Sequence, residues 1–205
     1  MTIMSELERE LRKHTSEEKI EIIRHHFARI LETLGMDLAE EHLRKTPERY
    51  AKMLVNELFR GMSEDNFPEI SLQDNEFDYR EMLIEYNIAV KSICEHHFMP
   101  ILGYCHIAYI PDKKIIGLSK LNRVAAHVAG RPQIQERMTK HIKQSLIEVL
   151  ETEDVGVVVD AQHLCVRMRG IQDSDSYTRT CDYSGKLRRQ PYRKEFIDSL
   201  PLLAR

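Results

Sequence analysis

Near residue 81 the hydrophobic rhythm of the chain changes from a period close to four to a period close to two, which constrains the fold more than any other feature of the sequence. Upstream, Thr15 and Glu18 form a capping-box pair, and Ile20, Ile23, Phe27, Ile30 and Leu34 then recur at helical spacing until Gly35. Thr46 and Pro47 open a second helix, which carries Tyr50, Met53, Leu54 and Leu58 and stops at Gly61. Residues 61–80 are polar and aperiodic and predict a connection. Downstream, MLIEYNIAVKSI and ILGYCHIAYIP predict two strands that pair. Pro111 and Asp112 turn the chain, a helix follows from Gly117 and Ser119 to Gly130, and Pro132 opens a longer one with Ile134, Met138, Ile142, Leu146 and Leu150. VGVVVDAQHLCVRMRG and SYTRTCDYSGKL predict two more strands, and RKEFIDSL a short closing helix. The order ββααββ behind a helical N-terminal region predicts an α+β chain, divided into residues 1–80 and 81–205.

Composition narrows the function classes. Of the 205 residues 42% are hydrophobic, yet no apolar run approaches the ~18 residues of a membrane span. Thirty basic residues against 33 acidic ones leave a net charge of -3, so no bulk basicity is available to grip nucleic acid, and an anion site must be built locally. The segment MTIMSELERELRKH lacks the apolar stretch and small-residue cleavage site of a secretory signal, so a cytoplasmic location is expected. The four cysteines are widely and unevenly spaced, which favours thiols or metal ligands over a disulfide framework.

The stretch SICEHHFMP places Cys94 three residues before His97, close enough for one turn to aim both at one ion. Alone, the triplet is equally compatible with a small core cysteine beside ordinary polar histidines. A second pair adds weight: His163 and Cys165 lie two apart in a predicted strand, where side chains two apart share a face. Cys94, His97 and Cys165 are a donor set suited to zinc, with His96 and His163 beside it for proton transfer. Spacing does not settle which histidine binds the metal, since His96 or His163 could supply a fourth ligand. Cys105 and Cys181 belong to no such pair and are expected to be ordinary thiols.

GLSKLNRV predicts Ser119 at a helix N-cap with Lys120 and Arg123 behind it. There, free amides, a hydroxyl and two cations can converge on phosphate, or form an ordinary solvated basic face. Arg49 and Lys52 can add to such a site, and Arg167 and Arg169 share the predicted strand parity of Cys165. Gln135 and Glu136 fall in the longer helix, where a solvated Glu136 paired with Lys140 is the simplest reading.

Taken together, KTPERYAKM, ICEHHFMP, GYCHIAYIP, GLSKLNRV, RPQIQERMT, GVVVDAQHLCVRMRG and EFIDSL resemble GTP cyclohydrolase I from about residue 20 to 200. The resemblance implies a zinc ion on Cys94, His97 and Cys165, with His96, His163 and Ser119 as acid–base groups. It implies a triphosphate held by Lys120, Arg123, Arg169, Arg49 and Lys52, and a purine recognised by Gln135 and Glu136. It implies conversion of GTP and water to 7,8-dihydroneopterin triphosphate and formate. The implied architecture is the tunnelling fold, an antiparallel four-stranded sheet with two helices on one side. The implied assembly is a homodecamer of two pentamers with active sites shared between subunits. The region TRTCDYSGKLRRQPYRK departs from many relatives in its basic residues and Cys181. The rival class is a binding module in which zinc only staples the fold, and the near-neutral charge counts against it as a nucleic-acid binder.

Overall fold

The computed structural model describes residues 14–201, and the chain divides into two compact units between Arg60 and Gly61. In the first unit, helix α1 spans Ser16–Thr33. The predicted capping box is present: the Glu18 amide donates to Thr15 Oγ1 at 3.2 Å, and the Thr15 amide donates to the Glu18 carboxylate at 2.7 Å. Gly35, at φ +83°, takes the left-handed conformation that ends the run. Helix α2 covers Thr46–Met53, with Lys45 as cap and Pro47 in the first turn, and continues as a π-helical turn over Leu54–Leu58. Phe27 of α1 stacks on Tyr50 of α2 with ring centroids 3.7 Å apart.

The second unit is built on a sheet of β2 (Leu83–Cys94), β3 (Pro100–Tyr109), β5 (Pro132–Gln133), β6 (Val155–His163) and β7 (Thr178–Tyr183), in the order β5-β2-β3-β6-β7. The four longer strands run antiparallel to their neighbours, and β5 lies parallel to the last residues of β2. A separate pair joins β1 (Leu72–Asp74) to β4 (Lys114–Ile116), so part of the polar stretch 61–80 is strand. Helices α3 (Leu118–Ala129) and α4 (Gln135–Leu150) lie between β3 and β6 in sequence. Leu121 and Val124 of α3 and Met138, Ile142 and Leu146 of α4 pack with Val90, Ile101, Cys105, Ile107, Val157 and Val159 of the sheet. A smaller cluster gathers Ala108, Ile110 and Val158 with Leu187 and Phe196, the last from the closing helix α6 (Tyr192–Ser199). Residues 155–161 of β6 are therefore buried on both faces, which explains why VGVVVDA is apolar almost throughout instead of alternating.

Among the boundaries that differ from the sequence expectation, two lie beside the cysteines. Pro132 does not open the long helix; with Gln133 it forms β5, making the sheet five-stranded and mixed, and α4 begins at Gln135. Proline is tolerated there because β5 is an edge strand. Strand β6 ends at His163, and Leu164–Arg167 form a single helical turn, α5, closed by the Met168 amide on the Leu164 carbonyl at 2.9 Å. The apolar–polar alternation of LCVRM is short enough to suit either conformation.

Candidate metal centre and its surroundings

The hairpin turn between β2 and β3 bends the chain back onto its own cysteine. The Cys94 amide donates to the Met99 carbonyl and the Phe98 amide to the Cys94 carbonyl, both at 2.8 Å, while Phe98 takes a left-handed φ of +54°. Register then brings in the second half of the site: Ile101 of β3 pairs with His163 of β6, so β6 ends beside the hairpin and α5 starts there with Cys165. The ligand atoms of Cys94, His97 and Cys165 all lie within 4.8 Å of one another. Ligands of a tetrahedral zinc, at roughly 2.0–2.3 Å from the ion, stand about 3.3–3.8 Å apart, so small side-chain rotations close the set around a metal. Two sulfurs and an imidazole fit zinc in chemistry as well as spacing. Burial, followed by the hydrogen bond and charge of Cys94, pushes the Cys165 thiol above its ordinary range, with Arg169 pulling the other way. A dication held by Cys94 and Cys165 would reverse that balance, because a coordinating thiol is deprotonated.

The remaining histidines occupy different settings. His96 is exposed and meets His97 edge to face at 6.3 Å between centroids. His163 is half-buried, and its Nε2 lies 2.8 Å from Gln135 Oε1 in the first turn of α4. Burial lowers the His163 pKa, and the nearby Glu136 carboxylate opposes the shift. Glu136 itself is exposed, whereas Gln135 is buried, at 1% exposure. An ion pair between Arg137 and Glu95 ties the hairpin turn to α4. Proton-transfer and carboxylate groups thus collect at the metal end of the sheet.

Of the cations expected at a phosphate, Lys120 and Arg123 sit in the first two turns of α3. The N-cap of α3 is Gly117 and not Ser119, which is the second residue of the helix. The Lys120 amide donates to the Gly117 carbonyl at 2.8 Å, so the first turn closes two residues earlier than Ser119 would have closed it. Ser119 and Arg123 are exposed, and the Lys120 ammonium donates to the Glu69 carbonyl at 2.9 Å. This first turn follows β4, whose Ile116 amide reaches the Tyr109 hydroxyl at 3.4 Å, and Tyr109 pairs with Leu83 at the start of β2. The other end of α3 leads into β5 beside Cys94. Twelve helical residues therefore separate the two ends, about 18 Å at 1.5 Å per residue. Arg169 acts on Cys165, and Arg167 donates to Gln162 Oε1 at 2.9 Å. Both arginines follow the end of β6, so the parity expected from a continuous strand does not apply to them. In the first unit Arg49 and Lys52 are exposed on α2, with Lys52 bonded to Glu48 at 2.5 Å.

One cluster was not anticipated from sequence. Asp160, at 0% exposure, accepts from Arg179 Nε and Nη2, each at 2.7 Å. His106 Nε2 stands 3.5 Å from the same carboxylate, and His106 Nδ1 accepts from the Asn87 amide at 3.3 Å. The available signal was the lone acid in VGVVVDA, since a carboxylate inside an apolar run requires partners.

Comparison with known proteins points in one direction. Residues 23–200 match the family model described as GTP cyclohydrolase I. The chain is 49% identical over 188 residues to the GTP cyclohydrolase 1 of Flavobacterium johnsoniae, covering 92% of this chain and 84% of the relative. It is 45% identical over 185 residues to the proteins of the same name from Aeromonas hydrophila and Aeromonas salmonicida, covering 90% of this chain and 85% of each.

Proposed function

Because the chain belongs to the GTP cyclohydrolase I family, we propose that it is a zinc-dependent enzyme that hydrolyses GTP at C8 of the guanine. It releases formate and rearranges the remainder to 7,8-dihydroneopterin triphosphate, entering pterin and tetrahydrofolate synthesis. The observation that carries this reading is the convergence of Cys94, His97 and Cys165, from two segments far apart in sequence, at the end of the sheet that also holds His163. Among the described residues the cluster has three donors, a number that suits a catalytic zinc with an open position. Zinc held by these three residues would supply Lewis acidity and would bring the pKa of a water at the site toward neutrality.

The chain's own residues do the rest. His163 carries a proton to N7 of the guanine, making C8 electrophilic, and His96, exposed on the hairpin, serves the later ring-opening and ring-closing transfers with Ser119. The Glu136 carboxylate accepts hydrogen bonds from the guanine edge. Lys120, Arg123, Arg169, Arg49 and Lys52 neutralise and orient the triphosphate, the arginines as bidentate forks. The first turn of α3 lies about a helix length from the metal end of its own chain. That separation supports a site completed by a neighbouring copy, whose α3 brings Ser119, Lys120 and Arg123 to this chain's cysteines. The assembly is accordingly a homo-oligomer, read as two pentameric rings of tunnelling-fold subunits. Among the described residues no helix is long and apolar enough to cross a membrane, and the site of action proposed is the cytoplasm.

Incubating the zinc-loaded protein with GTP should release formate and, after oxidation, a fluorescent pterin. A folded, zinc-loaded protein that yields neither would end this reading in favour of a stapled binding module. Sharing of sites has its own test: inactive Lys120→Ala and His163→Ala chains, unfolded and reassembled together, should regain activity at up to about one site in four, as random mixing of a symmetric assembly allows.

A further inference from the structure

The side-chain amide of Gln135 sits between two sets of partners, and its orientation follows from proton counting. On one side its Nε2 lies 3.0 Å from the Val159 carbonyl, 2.8 Å from the Thr178 carbonyl and 3.1 Å from Thr180 Oγ1. Carbonyl oxygens only accept. Thr139 Oγ1 gives its single proton to the Gln135 main-chain carbonyl at 2.9 Å. The proton between the two threonine hydroxyls, 2.6 Å apart, therefore belongs to Thr180. Having spent it, Thr180 Oγ1 can only accept from Gln135. All three neighbours on that side are acceptors, so the amide nitrogen must face them, because the reversed amide would set an oxygen against two carbonyls. Oε1 consequently faces His163 Nε2 at 2.8 Å, and an amide oxygen can only accept, so Nε2 carries a hydrogen.

We propose that Gln135 is a positioning residue that holds neutral His163 as its Nε2–H tautomer, making Nδ1 the ring atom that exchanges protons during the reaction. The proposal rests on the function assigned to His163 above. During turnover the Nε2–H bond to Gln135 persists. Nδ1 takes a proton to give the imidazolium and surrenders that proton from the same atom, so the ring needs neither to flip nor to exchange its second hydrogen. Gln135 is suited to this task because it is almost wholly buried and anchored to β6 and β7 together. A side chain that reads the purine would need its own amide free, and the Gln135 side-chain donors are already engaged by the sheet.

The test separates positioning from purine contact. Gln135→Met keeps the length of the side chain and removes its acceptor. Turnover should fall by about 10–100-fold, the usual effect of losing a partner behind an active histidine, while zinc content is unchanged and KM for GTP stays within about twofold. A KM raised about tenfold or more with kcat retained would assign Gln135 to the purine and overturn the proposal. Neutron diffraction from the wild-type zinc protein at about pH 8, where an imidazole is neutral, should place deuterium on His163 Nε2 and none on Nδ1. Deuterium on Nδ1 alone refutes the proposal whether or not the methionine variant folds. A wild-type protein that releases no formate would remove the assigned function while leaving the neutron result to judge the tautomer.

Discussion

Two clusters of similar side chains lie along the same sheet and are put to opposite uses. At the hairpin end, Cys94, His97, Cys165 and His163 converge with His97 exposed and Cys165 and His163 only partly buried. Further along, His106, Asp160 and Arg179 converge as tightly, but His106 and Asp160 are enclosed and their polar capacity is consumed by one another and by the Asn87 amide. The first cluster keeps donors available for an ion and a substrate. The second satisfies itself, and its contribution is to the folded state. Histidine, the residue type the two clusters share, stands open in one and enclosed in the other according to what the neighbouring elements pack against it.

Substitutions should separate the two ends, and the largest effect is expected at the metal. Cys165→Ser removes a thiolate ligand, so zinc measured by elemental analysis and formate release should both be lost while the chain stays folded by circular dichroism. His163→Ala should keep its zinc and lose turnover by about 10²–10⁴-fold, the range of a positioned acid–base group. Full activity in that variant would dissolve the contrast between the clusters.

Arg179→Met leaves the buried Asp160 carboxylate with only His106 beside it, and should cost roughly 2 kcal/mol in urea unfolding, less than the ~3–5 kcal/mol of a fully buried pair because Arg179 is partly exposed. Activity per folded molecule should be preserved. The smallest effect concerns pH. Burial lowers the His106 pKa against the pull of Asp160, with Arg179 adding to the lowering. The unfolded chain thus binds the proton more readily, so the stability contributed by neutral His106 is present above about pH 6.5 and lost as pH falls below it. Stability should decline as pH falls below about 6.5, and His106→Gln should flatten that decline. An unchanged slope would mean that the enclosed cluster does not titrate with folding.

Much of this architecture was legible beforehand, and for identifiable reasons. The capping box at Thr15 and Glu18, the helix starting at Thr46, and the paired strands on either side of CEHH follow from local chemistry. The metal set was legible because few residue types bind zinc and two close groups of them stood out. Less legible was the stretch after His163, where a short alternating run suited strand and helix equally and the chain chose a helical turn. Ser119 was misplaced as a cap for a related reason: several polar residues and glycines near a helix start can each serve, and packing selects among them.

Sequence alone settled which side chains could bind a metal or move a proton, because donor chemistry is a property of the residue. Only the folded chain decided that Gln135 would be buried with its nitrogen toward the sheet and its oxygen toward His163, and that the first turn of α3 would stand at the far end from the cysteines. Those facts depend on register and on the mutual satisfaction of donors and acceptors across β6, β7 and α4, contacts between residues distant in sequence that no local pattern encodes.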